Sequence, residues 1–173
     1  MSNIAVLVSG GGTNLQALID AQGNVLQHGK IELVISSKPD VYALQRAEKS
    51  GIDHCVIAKR DYITQEEFST ALLKKLQSYQ IDMIVLAGYL SILDETIIRA
   101  YPDRIINIHP SLIPSFCGKG YYGLKVHEAA LEYGVKVTGA TVHLVNEIPD
   151  GGKILLQKAV DILPSDTPEV LRK

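Results

Sequence analysis

Short β-branched runs alternate along the chain with longer stretches whose apolar residues recur every three or four positions. Ile4-Ala5-Val6-Leu7-Val8 has the composition of a buried strand, and Leu15 to Gln27 reads as the helix after it. Ile31 to Ile35 is a second strand, Val41 to Ser50 a second helix closed by Gly51, and Cys55-Val56-Ile57 a short third strand. From Glu66 to Tyr79, the residues Phe68, Leu72, Leu73 and Leu76 are spaced to share one helical face. Met83 to Ala87 is apolar throughout, which predicts a strand at the centre of a sheet. Glu95 to Tyr101 reads as a short helix, Ile105 to Ile108 as a fifth strand, and Val126 to Tyr133 as a helix opened by exposed His127 and Glu128. Thr138 to Val145 alternates as a strand does. Ile154 to Val160 is placed to pair with it as a hairpin across Pro149-Asp150-Gly151-Gly152.

Strands alternating with helices imply an α/β, Rossmann-like fold. Its central sheet is mostly parallel, covered by helices on both faces, and ends in a C-terminal antiparallel strand pair. No repeat, low-complexity tract or linker interrupts residues 1–173, which read as a single catalytic domain with its ligands at the carboxyl ends of the strands. A chain of 173 residues can bury a substantial core. Its formal charge of −2 argues against nucleic acid as a partner. Cys55 and Cys117 match no zinc or redox spacing and read as free thiols. No basic leader is visible at the N-terminus, and no apolar run approaches the roughly 20 residues of a membrane span. The expectation is a cytoplasmic protein without a membrane partner, monomer and homodimer both remaining open.

Two segments carry candidate chemistry. Ser9-Gly10-Gly11-Gly12-Thr13-Asn14 joins the first strand to the first helix. Its glycines allow close approach of a ligand to the backbone, and the helix start directs free N–H groups toward an anion. It is neither a P-loop, lacking the Lys, nor a G-x-G-x-x-G fingerprint. A phosphate monoester is the expected ligand, with Thr13 or Asn14 as a plain helix cap the competing explanation.

The second segment is Asn107-Ile108-His109-Pro110-Ser111-Leu112-Ile113-Pro114. In an extended strand Asn107 and His109 project from one face, about 7 Å apart. A carboxamide beside an imidazole suits an acyl transfer, where a carbonyl oxygen gains charge and a leaving nitrogen needs a proton. Asp150 is by itself ordinary turn chemistry. Joined to the pair it becomes a carboxylate that favours the imidazolium, the better general acid. His143 reads as a packing residue on its strand. No metal-ligand spacing and no serine-nucleophile elbow is present, so the expected chemistry is metal-free.

Together with Val85-Leu86-Ala87-Gly88-Tyr89 and Thr138 to His143, these segments make the chain resemble the phosphoribosylglycinamide formyltransferase family. The resemblance runs along essentially its whole length. It implies formyl transfer from 10-formyltetrahydrofolate to 5-phosphoribosylglycinamide in purine biosynthesis. It also implies that Gly12, Thr13 and Asn14 hold the substrate phosphate. The folate would lie against Gln65, Leu90, Ser91, Ile92 and Leu93, with Asn107 reaching its formyl oxygen. Catalysis would rest on Asn107, His109 and Asp150.

The family often carries Arg where this chain has Gln65 and Ser91. The chain stops at Lys173, where a family member would continue through a helix whose cap resembles Pro164-Ser165-Asp166-Thr167-Pro168, so that helix is expected to be incomplete. Residues 115–123 read equally as a mobile lid or an ordinary surface loop, and Cys117 within them has no assigned role. Two rivals stand beside the formyl-transfer expectation: a different member of the formyltransferase superfamily, and a phosphate-binding module without turnover.

Overall fold

The computed structural model describes residues 1–172. Its strands are β1 (Ser2–Val8), β2 (Gly29–Ser36), β3 (Asp53–Val56), β4 (Met83–Leu86), β5 (Ile105–His109), β6 (Val137–Leu144) and β7 (Ile154–Asp161). Its α-helices are α1 (Thr13–Ala21), α2 (Tyr42–Lys49), α3 (Gln65–Ser78), α4 (Glu95–Ala100), α5 (Leu124–Tyr133) and α6 (Pro168–Leu171). The strands form one seven-stranded sheet in the order β3-β2-β1-β4-β5-β6-β7. β1 is parallel to β2 and β4, β2 is parallel to β3, and β6 and β7 are antiparallel. This is the mostly parallel α/β sheet with an antiparallel end that the pattern implies. The chain divides into two compact units, Met1–Ile106 and the part from Asn107 onward, with the division falling inside β5.

In the first unit β1 is buried on both faces. Ile4, Val6 and Val8 pack with Leu15, Ile31, Val34, Ala43 and Ala47, while the alternate residues Ala5 and Leu7 are fully buried as well. β4 lies beside β1 as its all-apolar sequence leads one to expect. α3 opens with a capping box, in which the Thr64 hydroxyl accepts from the Glu67 amide and the Glu67 carboxylate accepts from the Thr64 amide. α1 departs from expectation at both ends, starting at Thr13 and stopping at Ala21 rather than running from Leu15 to Gln27. Gly23 takes a left-handed backbone, and Gln22 leaves the helix to accept the Ile31 amide through its side chain. Apolar periodicity over Val25 and Leu26 therefore belongs to a turn.

In the second unit Val142 pairs with Leu156 and His143 with Ile154, with a register slip between Val142 and His143. The connection closes through the Leu144 amide, which donates to the Lys153 carbonyl at 2.9 Å. Gly152 passes so close to this point that a Cβ would overlap the Leu144 carbonyl oxygen. Only glycine fits. α6 starts as expected, with the Thr167 hydroxyl accepting from the Val170 amide and Pro168 in the first turn. On α5, Glu128 is exposed, but His127 is not: it is 4% exposed. It lies between Val126 and the buried Ala130, on the helix's inward side. A place at the start of the helix says nothing of the helix's rotation, and rotation decides exposure.

Candidate active site

β5 delivers Asn107 and His109 to the same side because strand side chains alternate. Asp150 comes from the β6–β7 connection. There Pro149 and Asp150 are the central residues of a turn closed by the Gly151 amide on the Ile148 carbonyl at 2.9 Å. Proline second and a positive φ third (Asp150, 54°) are the signature of a type II turn, and aspartate tolerates that conformation better than most residues. The carboxylate thus arrives on a short, braced turn.

Asp150 links the other groups. Its Oδ2 lies 3.5 Å from His109 Nδ1 and accepts the Gly118 amide at 2.8 Å. Its Oδ1 accepts from Asn107 Nδ2 at 3.4 Å and lies 3.5 Å from His143 Nε2. Asn107 Nδ2 is also 3.1 Å from His143 Nε2. The expected trio Asn107, His109 and Asp150 is therefore brought together, and His143 joins it. His143 is 2% exposed, so it packs as expected, but its polar edge belongs to this cluster. The available signal is positional: Thr141 and His143 share the buried face of an alternating strand, two residues apart.

Burial alone would push the Asp150 carboxyl up. Hydrogen bonds from His143 and the Gly118 amide, with the nearby His109 and His143 charges, more than offset it and leave the pKa below the usual carboxylate value. Burial likewise pushes His143 down. The hydrogen bond to Asp150, the Leu144 carbonyl and the Asp150 charge outweigh it, so the imidazole lies above its usual value. His127, buried with no hydrogen-bond partner for either ring nitrogen among the described residues, is pushed down by desolvation and by the Arg172 and His109 charges.

The glycine-rich segment after β5 is tied into this cluster. His109 Nε2 faces the Phe116 carbonyl at 2.8 Å, and Gly118 donates to Asp150. Both His109 nitrogens thus face oxygens that can only accept. Residues 110–115 are held in turn by β6. Thr141 donates to the Ser111 carbonyl at 2.6 Å and accepts from the Ile113 amide at 3.0 Å. Ser111 is fully buried and spends its hydroxyl on the Ser115 carbonyl, a structural use. Burial and the Asp150 charge raise the Cys117 thiol above its usual pKa, which keeps it in the thiol form.

In the first unit the glycine loop runs into α1 without a side-chain cap. The N-cap is Gly12, whose carbonyl accepts the Gln16 amide at 2.9 Å. Thr13 and Asn14 are exposed and are not caps, contrary to the competing explanation, because the capping position itself has no side chain. Gly12 has φ 73°, and a Cβ there would meet Ala43 Cβ at 2.7 Å. Arg46, which no motif in the sequence singles out, braces the loop. Its Nε donates to the Gly11 carbonyl at 2.9 Å, its second nitrogen bonds Gln16, and its guanidinium stacks over Tyr42.

The Leu90–Leu93 segment is anchored to the same loop: the Leu90 amide donates to Ser9 Oγ at 2.9 Å, and Ser9 in turn bonds Ser37. Leu90 and Ile92 are exposed (48% and 72%), Ser91 is half-buried, and Leu93 is turned inward at 7%. Gln65 donates to Ser69, which donates to Asp94, the cap of α4. The Tyr89 hydroxyl is buried with no well-formed hydrogen bond among the described residues, and desolvation, only partly offset by the neighbouring Ser91 side chain, pushes its pKa up to about 12. Among the described residues no group of three or more His, Cys, Asp or Glu is arranged to hold a metal ion. No described helix is long and apolar enough to cross a membrane.

Residues 2–173 match the formyl transferase family model, and the chain belongs to that family. Phosphoribosylglycinamide formyltransferase of Haemophilus influenzae is 44% identical over 98% of this chain and 77% of its own length. The trifunctional purine biosynthetic protein adenosine-3 of Drosophila melanogaster is 45% identical over 97% of this chain, which spans 12% of that protein. The crystal structure of glycinamide ribonucleotide transformylase 1 from Symbiobacterium toebii matches with a TM-score of 0.92 at 44% identity. That match covers 99% of this chain and 79% of the other. Within the family this chain's place is among the phosphoribosylglycinamide formyltransferases.

Proposed function

We propose that the protein transfers the formyl group of 10-formyltetrahydrofolate to the amine of 5-phosphoribosylglycinamide, releasing tetrahydrofolate. The observation that carries this reading is the Asp150 carboxylate, shared between His109 on one oxygen and Asn107 on the other. That arrangement assembles an oxyanion donor and a proton donor from two strand positions and one turn.

The substrate amine forms a bond to the formyl carbon, and the carbonyl π pair moves onto oxygen. Asn107 and imidazolium His109 stabilise that oxyanion by donated hydrogen bonds in a partly desolvated site. A water positioned by Asp150 carries the proton of the attacking nitrogen to His109, replacing the one that His109 gives up to the leaving group. The folate nitrogen takes one from His109, directly or through water, as the carbon–nitrogen bond breaks. Gly12, Thr13 and Asn14 hold the phosphate with the uncapped amides of α1, and Arg46 adds positive charge beside the loop. Exposed Leu90 and Ile92 offer apolar surface to the folate, Ser91 and Gln65 offer polar atoms, and Leu93 contributes through its backbone.

The test is formyl transfer with both substrates, followed by absorbance of the folate product and by the mass of the nucleotide. Growth of a formylated nucleotide in step with tetrahydrofolate supports the reading. Hydrolysis of formyltetrahydrofolate that ignores the nucleotide assigns the chain a different superfamily activity, and binding without turnover makes it a module.

A further inference from the structure

Two polar side chains, Asn107 and Asp150, converge on His143 Nε2 and set conflicting demands on its proton. Nδ1 faces the carbonyl of Leu144 at 2.8 Å, an atom that can only accept, so Nδ1 carries a hydrogen. A neutral ring then has a bare Nε2, which accepts from Asn107 Nδ2 at 3.1 Å. In that state both hydrogens of the Asn107 amide are committed, one to His143 and one to Asp150 Oδ1. A protonated ring presents N–H at Nε2 instead. It repels the Asn107 amide and turns to Asp150 Oδ1 at 3.5 Å. One Asn107 hydrogen is released.

We infer that His143 is a positioning residue for the Asn107 carboxamide, and that a proton on its Nε2 frees an Asn107 N–H for the acyl oxygen. This rests on the reading of Asn107 as oxyanion donor given under Proposed function. In this role His143 acts through Asn107 and not on a substrate atom. It acts by choosing which partner Asn107 bonds. The charged and titratable groups facing it are Asp150, directly, and His109, across the second oxygen of the same carboxylate. The carboxylate favours the protonated ring, in keeping with the net upward shift of His143 despite its burial.

Two measurements test the inference. The first is the pH dependence of the Asn107 side-chain amide signals in the isotope-labelled, ligand-free protein, with His143 titrated in the same spectra. The expected result is movement of one Nδ2 hydrogen with the His143 midpoint, and loss of that movement in His143→Gln, whose amide does not titrate. Asn107 signals indifferent to the His143 titration overturn the inference, whatever the enzyme assay gives.

The second compares kcat and KM for wild type and His143→Gln across pH. The expected fall in kcat is on the order of ten- to a hundredfold, less than removing an oxyanion donor outright, with both KM values little changed. The part of the wild-type alkaline limb that follows the His143 midpoint should also disappear in the variant, leaving the limb set by the His109 acid. An unchanged kcat with an unchanged pH profile overturns the inference. A wild-type chain that never formylates the nucleotide overturns the functional reading instead, and the amide titration then decides the role of His143 by itself.

Discussion

Asp150 grips His109 from one side only, with Oδ2 3.5 Å from Nδ1, while Nε2 is 2.8 Å from the Phe116 carbonyl. The imidazole therefore has an oxygen acceptor at each nitrogen, one anionic and fixed on a turn, the other on a glycine-rich segment. For Nε2 to meet a substrate atom, the Phe116 carbonyl must give way. The carboxylate has no such freedom, because the Gly118 amide and Asn107 hold it as well.

Asp150→Asn keeps the size of that side chain and removes its charge. One face of the new carboxamide must then present N–H toward Asn107 or toward Gly118, where only acceptors fit. We expect kcat to fall by on the order of a hundredfold, as for loss of a general acid–base contribution, with the nucleotide KM within about twofold. Steady-state kinetics check this. A wild-type kcat in the variant removes Asp150 from the mechanism.

Gly12→Ala asks for a left-handed backbone at an L residue and places a methyl against Ala43. The backbone penalty alone is about 1–2 kcal/mol, and relief of the clash moves the loop. The expected result is a lower thermal midpoint together with a raised nucleotide KM. Gly10→Ala is the control, because nothing lies within 4 Å of its added Cβ. Equal effects at the two positions contradict the assignment of the tight approach to Gly12.

Arg46→Gln should weaken the nucleotide more than the folate. It removes the positive charge beside the loop and loosens the hold on the Gly11 carbonyl. A rise of about tenfold in nucleotide KM, with kcat nearly unchanged, corresponds to roughly 1.4 kcal/mol of uniform binding. A change confined to the folate KM contradicts it.

Titration of buried groups makes a separate prediction about stability. The lowered His127 pKa favours the neutral ring in the folded state, so its stabilising contribution is complete above the ordinary value of 6.5. That contribution is lost as the pH falls toward the depressed folded value. Asp150 acts in the same sense at lower pH: its contribution is present above the usual carboxylate value of 3.8 and disappears as the pH falls through the lowered one. His143 has the opposite sign, contributing fully below 6.5 and losing its contribution as the pH rises through the raised folded value. His127→Leu should therefore gain on wild type in thermal midpoint as the pH drops from 7 toward 5. A constant offset across that range contradicts the burial of a proton-binding ring.

The fold is legible in the sequence because its strands are apolar and short and its helices periodic. Met83 to Leu86 announces a central strand by having no polar face. Each departure has a local cause. Leu26 continues a helical pattern beyond Ala21, but Gly23 turns the backbone before periodicity can matter. His127 opens its helix in chain order, whereas its exposure depends on helix rotation.

Asn107, His109 and Asp150 are readable because strand alternation and a Pro-Asp-Gly-Gly turn have nearly fixed geometry. His143 reads as packing, since only the strand register reveals that its ring edge reaches Asn107 and Asp150. Arg46 lies on a helix 35 residues from the carbonyl it holds, a distance no local pattern spans.

The formyl-transfer mechanism is tested most directly by the rates of His109→Ala and Asn107→Ala, measured with saturating substrates while nucleotide binding is followed separately. Each variant should bind 5-phosphoribosylglycinamide as wild type does and lose on the order of 10²- to 10³-fold in kcat. Full turnover in either variant, or loss of nucleotide binding that accounts for the whole effect, would contradict it.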